Sequence, residues 1–218
     1  NYPITNLAYY KMSNASDSGE GSGYIGQGGI FNGSSSDIDL PAGINSTTMS
    51  VSFWMYANTT SGNQVVFELQ GTGGGSAGQN GYAIYFLSSG GGKLYMQTTN
   101  ANASHTSTNA AIPTGQWVHV AAVWNAGART FYINNIAQSG GTINTYLTAN
   151  ENTIGSRRTG EYFNGKIDQV RIFPTALSSS NVSLLYAETS ATSSTLDYPV
   201  AATALYELSG NANDTGNT

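Results

Sequence analysis

Asp37 and Asp39 stand two residues apart in "SDIDLP", so an extended backbone puts both carboxylates on one strand face. A retaining glycosidase needs two carboxylates about 5–5.5 Å apart, one as nucleophile and one as acid. The same spacing also describes a polar edge beside buried Ile38 and Leu40, and that bland reading outweighs the catalytic one. Glu68 in "NQVVFELQ" alternates against Val65, Phe67 and Leu69 and has no acidic neighbour in sequence. Of the two histidines, His105 falls in a Ser/Thr/Asn loop and His119 in the strand-like "WVHVAAV". Neither has a nearby acid to orient it as a general base. The glycine-rich "GTGGGSAGQNG" (71–81) is followed by no helix that would bring a dipole to a phosphate. Cysteine is absent, which excludes thiol catalysis, thiolate metal sites and disulfides. The expectation is a protein that is not an enzyme.

Asp168 asks a different question. In "GKIDQVRIF" strict alternation places it on the same face as Val170 and Ile172, pointing inward. A core-facing carboxylate is costly unless it is paired or holds a cation. Capping of backbone N–H groups at the strand entrance is the structural alternative. Aromatic platforms for sugars are plentiful (Trp54, Tyr56, Tyr82, Tyr85, Tyr95, Trp117, Trp124), but most lie within strands and read as packing. Tyr162, beside Glu161 and close to Arg157 and Arg158, is the best exposed candidate for a glycan contact. Asn-x-Ser/Thr triplets make Asn14, Asn32, Asn45, Asn58, Asn102, Asn181 and Asn213 candidates for N-glycosylation. Only 9% of residues are charged and the net charge is −5, so nothing draws the chain to nucleic acid or an anionic membrane. No apolar run approaches the ~20 residues that cross a bilayer.

The elements that must carry these residues alternate with a period of two. "MSVSFWMYA" (49–57) sets Met49, Val51, Phe53 and Met55 against Ser50, Ser52, Trp54 and Tyr56. "GYAIYFLS", "KLYMQTT", "QWVHVAAVWN" and "RTFYINNIAQ" continue the series, the last turning at Asn134–Asn135, residues that suit the positive φ of a tight hairpin. Short strands between turn residues predict an all-β antiparallel sandwich. One segment, "LSSSNVSLLYAE" (177–188), predicts a short helix with a serine N-cap and a Val182–Leu185–Tyr186 stripe. The apolar-poor 189–197 reads as a linker, closing a first domain at 1–188.

In order and spacing, "GGIFNGSSSDIDLP" (28–41), "MSVSFWMYA", "GQWVHVAAVWNAGARTFYINNIAQ" (115–138) and "NTIGSRRTGEYFNGKIDQVRIFPTALSSSNVSLLYAE" (152–188) resemble the laminin-G-like, concanavalin A-like jelly rolls. The resemblance implies two curved antiparallel sheets packed face to face, with first and last strands adjacent. It also implies a range of roles, from sugar binders and calcium binders to spacers and some glycosidases. Glucanases of this fold carry an E-x-D-x-x-E pattern that this chain lacks. Calcium-binding members use an aspartate like Asp168 with acids and amides of the N-terminal loop, which makes Asp17 and Asn14 the matching partners for a structural calcium ion.

The segment "YPVAATALYELSGNANDTG" (198–216) repeats the opening "YPITNLAYYKMSNASDSG" (2–19). Ala204 and Tyr206 match Ala8 and Tyr10, and Ala204, Leu205, Tyr206, Glu207 and Leu208 alternate as a strand. A lone strand leaves its backbone ladder unpaired. Its partners are expected outside the first sandwich: residues 198–218 either start a second repeat or donate a strand to a neighbouring copy. The favoured expectation is a structural or adhesive unit of an extracellular, cell-surface or virion-associated fibre, self-associating head to tail by strand addition. A carbohydrate-binding module is second and a glycosidase a distant third.

Overall fold

The computed structural model describes residues 20–25, 27–40, 48–71, 81–98, 104–126, 128–138, 140–142, 149–157, 160–188 and 204–206. Its strands are β1 (Glu20–Ser22), β2 (Gln27–Asn32), β3 (Ile38–Leu40), β4 (Thr48–Ala57), β5 (Gln64–Gly71) and β6 (Tyr82–Phe86). Then come β7 (Leu94–Thr98), β8 (Ser104–Ser107), β9 (Trp117–Asn125), β10 (Ala128–Ile133), β11 (Ile136–Ala137), β12 (Gly141–Thr142) and β13 (Ala149–Ile154). The chain continues through β14 (Asn164–Phe173), α1 (Ser179–Tyr186) and β15 (Ala204–Tyr206).

The strands form two antiparallel sheets. Among the described residues, one is nine-stranded, ordered β1-β2-β14-β4-β9-β10-β11, with β12 on β10 and β15 on β14. The other is six-stranded, ordered β3-β13-β5-β6-β7-β8. Between them lies one core, because alternation turns every second side chain inward. Met49, Val51, Phe53 and Met55 of β4 meet Val118, Val120, Ala122 and Trp124 of β9, all buried in that core with Phe67, Ile84, Phe86 and Met96 of the second sheet. The β4 phase therefore follows the sequence pattern. Arg129 of β10 ties the sheets at one side, its Nε donating to Thr106 Oγ1 at 2.6 Å.

The hairpin turn also stands where its residues place it: Asn134 and Asn135 hold φ of 47° and 65° between β10 and β11. The helix starts on Ser178, whose hydroxyl accepts the Asn181 N–H in a capping box. Val182 and Leu185 are buried against Ala121, Val123 and Phe173, the outer face of the larger sheet. No helix among the described residues is long and apolar enough to cross a membrane.

Register shifts break the strict alternation on β14 and β5, and a further one falls between Ala149 and Glu151 of β13. On β14 the register shifts between Asp168 and Arg171, where Gln169 takes φ of 53°. One extra residue there lets Ile167, Val170 and Ile172 all enter the core. Asp168 consequently pairs across from Trp54, on the outer face, rather than pointing inward with Val170 and Ile172 as alternation predicts. On β5 a shift between Val65 and Phe67 similarly puts Val65 outside, clustered with Ala83 and Tyr85, so Glu68 opposite Ala83 shares its face. His105 lies on β8 rather than in a loop.

β15 bears on the repeated opening. It adds antiparallel to β14 of its own chain, pairing Val170 with Tyr206, Arg171 with Leu205 and Ile172 with Ala204. The backbone partners of 204–206 thus come from the first sandwich itself, contrary to the expectation that they lie outside it. β2 takes the same side of β14 lower down, at Asn164–Ile167, so two strands share one edge across the bulge. Glu207 and Leu208, and the opening segment with Asn14 and Asp17, lie outside the described residues.

Candidate functional site

An open cleft of about 360 Å³ lies where the loop after β2, the β4–β5 connection and the start of β14 meet. Tyr162, Glu161, Asn63, Gln64, Asn164, Thr59, Ser61 and Ser34 line it with Gly33. The walls are pre-set by their own hydrogen bonds. Gln64 Nε2 donates to the Ser61 carbonyl at 2.7 Å and the Thr59 carbonyl at 3.2 Å, while its Oε1 accepts the Asn164 N–H at 2.9 Å. Asn164 Oδ1 accepts Asn58 Nδ2 at 2.8 Å, and Asn63 Oδ1 accepts the Ser88 N–H at 2.9 Å. Gly33, at φ of 76°, lets the β2 loop pass against Asn164, where a Cβ would come within 2.9 Å of the Asn164 Cβ.

Glu161 carries the local strain. It holds φ of 55°, the left-handed region that a side chain disfavours by roughly 1–2 kcal/mol. Its carbonyl accepts the Val65 N–H at 2.7 Å and its carboxylate pairs with Arg157 Nη1. Arg157 also donates Nε to Glu68 Oε1 at 3.1 Å. The guanidinium therefore bridges two acids. Burial pushes the Glu68 carboxyl up, with Arg157 pulling it back. A raised carboxyl suits a general acid, but this one is 2% exposed and gripped by a cation.

The ladder puts Asp39, Thr153 and Glu68 side by side on neighbouring strands. Two strand spacings separate Asp39 from Glu68, roughly 10 Å, well beyond a retaining pair and at the far limit of an inverting one. Asp37 precedes β3 and accepts Ser156 Oγ at 2.8 Å.

Asp168 is fully buried and accepts backbone N–H groups: Ile25 to Oδ2 at 2.9 Å and Gln169 to Oδ1 at 2.7 Å. That is the capping alternative. Among the described residues no group of three or more Asp, Glu, His or Cys stands together to hold a metal ion. Asp168 thus serves as an N–H acceptor; its candidate calcium partners Asp17 and Asn14 lie outside the described residues.

An aromatic group that the alternation left as packing covers the outer face beside Asp168. Tyr24 stacks on Trp54 with centroids 3.4 Å apart, Tyr186 stacks on Trp54 from 5.8 Å, and Trp117 meets Tyr56 edge-on at 5.7 Å. Lys166 Nζ lies 5.4 Å over the Tyr56 ring. His119, buried beneath, hydrogen-bonds Ser52 Oγ through Nε2 at 2.9 Å. Asparagine triplets also fall at the cleft. Asn58 is bonded to its wall, and Asn32 holds the adjoining loop by accepting the Ser34, Ser35 and Ser36 N–H groups. Asn181 serves the helix cap, and Asn14, Asn45, Asn102 and Asn213 lie outside the described residues.

The family described as concanavalin A-like lectin/glucanases superfamily matches residues 32–183. The chain belongs to this superfamily. No curated protein matches it. Among solved structures, this superfamily member is similar to domain 4 of AbnA, an extracellular arabinanase from Geobacillus stearothermophilus, in complex with arabinotriose. That pair shares 28% identity and a TM-score of 0.65 over 78% of this chain and 81% of that one. A heptameric SAP-like pentraxin from Limulus polyphemus shares 19% identity, with a TM-score of 0.52 over 68% and 72%. The botulinum neurotoxin type G receptor-binding domain shares 16%, with a TM-score of 0.61 over 82% and 45%. Below 25% identity these last two report the fold alone.

Proposed function

We propose that the chain is a non-catalytic carbohydrate-binding module of an extracellular protein, with the Tyr162 cleft as its sugar seat. One observation carries this: an aromatic ring, a strained and anchored acid, and side-chain amides converge on one open, preformed cleft. Sugar sites combine those elements, the ring giving apolar contact and the amides and acid fixing hydroxyl groups. The arabinotriose-bound domain at 28% identity supports the same reading. The test is calorimetric titration with arabinotriose and a panel of neutral oligosaccharides. Tyr162→Ala is expected to weaken binding at least tenfold with an unchanged melting midpoint. Undiminished affinity in that variant would refute the site. Incubation with the same sugars is expected to release no product, and release abolished by Glu68→Gln or Asp37→Asn would refute the non-catalytic assignment.

A second reading is a structural or adhesive unit of an extracellular or virion-associated assembly, joined head to tail. It rests on the repeat of the opening 2–19 at 198–216, with Ala204–Tyr206 pairing to β14 of their own chain. Filaments in micrographs of concentrated protein support it, and single particles at every concentration oppose it.

A further inference from the structure

The edge of β14 at Val170–Ile172 accepts a three-residue strand through a ladder separate from that of β2. The bulge at Asp168–Gln169 divides that edge, ending the β2 ladder at Ile167 and opening a short seat above it. The occupant is Ala204–Leu205–Tyr206, in register with Ile172, Arg171 and Val170. The sequence holds a second segment of the same kind. Ala8, Tyr9 and Tyr10 stand in "LAYYKMS" as Ala204, Leu205 and Tyr206 stand in "TALYELS", with Lys11 in place of Glu207. Each copy therefore has two tenants for one seat. Residues 204–206 hold Val170–Ile172.

We propose that this edge is an exchangeable strand seat, and that the head segment Leu7–Ser13 of a second copy of this chain occupies it when neither the chain's own tail nor its own head does. Main-chain hydrogen bonds supply the affinity of such an added strand, and the matching Ala-x-Tyr spacing supplies its register. The tail has the advantage of tethering. Residues 187–203 connect it to the end of α1, which gives it an effective concentration in the millimolar range. Exchange between copies also creates no additional paired seat. The intact chain in dilute solution is thus closed on itself, and capture of a partner requires an emptied seat. The inference rests on the assembly reading and is independent of sugar binding.

The test uses prolines. Ladder N–H groups alternate along a strand, so Leu205→Pro with Tyr206→Pro removes whichever N–H faces β14. Tyr9→Pro with Tyr10→Pro does the same for the head. A chain with all four substitutions offers an empty seat; the unaltered chain keeps a spare head. Mixed at tens of micromolar, the two are expected to sediment as a 1:1 dimer. The empty-seat chain mixed with a chain carrying only Tyr9→Pro and Tyr10→Pro is expected to remain monomeric. Absence of the first dimer, or equal dimer in both mixtures, overturns the proposal. Should the four-proline chain fail to fold, recovery of its near-ultraviolet circular dichroism on adding a peptide of residues 2–14 supports the seat, and no recovery overturns it. Micrographs of the unaltered chain report separately: capture without filaments keeps the seat and removes the assembly, and filaments without capture do the reverse.

Discussion

His119 shows how burial sets a residue's chemistry. It is 1% exposed beneath Trp54 and Tyr186, and desolvation, with Arg171 adding to it, pushes its pKa down to about 3. The folded state keeps the imidazole neutral while the unfolded chain protonates it near pH 6.5. Between those values the unfolded state binds more protons, so stability is full above about pH 6.5 and falls as pH drops toward 3. Each pKa unit corresponds to about 1.4 kcal/mol, making this a penalty of a few kcal/mol. Glu68, whose pKa is raised, gives the opposite slope above the usual carboxylate range, so the difference between variants isolates the histidine. Urea titrations at pH 4, 5, 6 and 7 are expected to show a smaller loss on acidification for His119→Gln than for the unaltered chain; parallel curves would count against it.

Asp168 supports a second prediction at this scale. Asn in its place turns one acceptor into a donor facing a backbone N–H, which costs about 1–3 kcal/mol by urea denaturation. The capping role also predicts that EDTA leaves the melting midpoint unmoved. A lower midpoint in EDTA, absent in Asp168→Asn, would instead assign Asp168, Asp17 and Asn14 to calcium.

At the scale of elements, a hydrogen bond joins the β10–β11 hairpin to α1, Asn135 Nδ2 donating to Ser183 Oγ at 2.7 Å. Asn135 therefore supplies both the positive φ of the turn and a tie to the helix. Asn135→Ala is expected to cost about 1–2 kcal/mol from strain alone, and Asn135→Gly less, by thermal denaturation; equal losses would point to the Ser183 bond as the main effect. These elements were legible in the sequence because each announces itself locally: Asn-Asn for the turn, Ser178 for the cap, alternating apolar residues for β4. The bulges were not. Gln169 at positive φ has no compositional flag, so alternation carried Asp168 to the wrong face and left Glu68 out of phase with Val65. The cleft was legible only at Tyr162, since Gln64, Asn63 and Thr59 reach it through a connection whose path no local pattern specifies.

At the scale of the whole molecule, the question is what the tail contributes. Its ladder spans three register pairs, against four between β14 and β2 and seven between β14 and β4. Deleting 197–218 therefore leaves β14 held on both sides, and the truncated chain is expected to fold as a monomer with a melting midpoint lowered by only a few degrees. Hydrogen exchange at the amides of Val170–Ile172 then separates the fates of the emptied edge. If the head is an equivalent tenant, the amides facing the tail stay protected after the deletion. They lose protection only when Tyr9→Pro and Tyr10→Pro are added, because an unpaired ladder opens to solvent without global unfolding. Protection lost on deletion alone would show that Ala8–Tyr10 does not fit where Ala204–Tyr206 fits. The sequence repeat would then be a likeness without a shared seat.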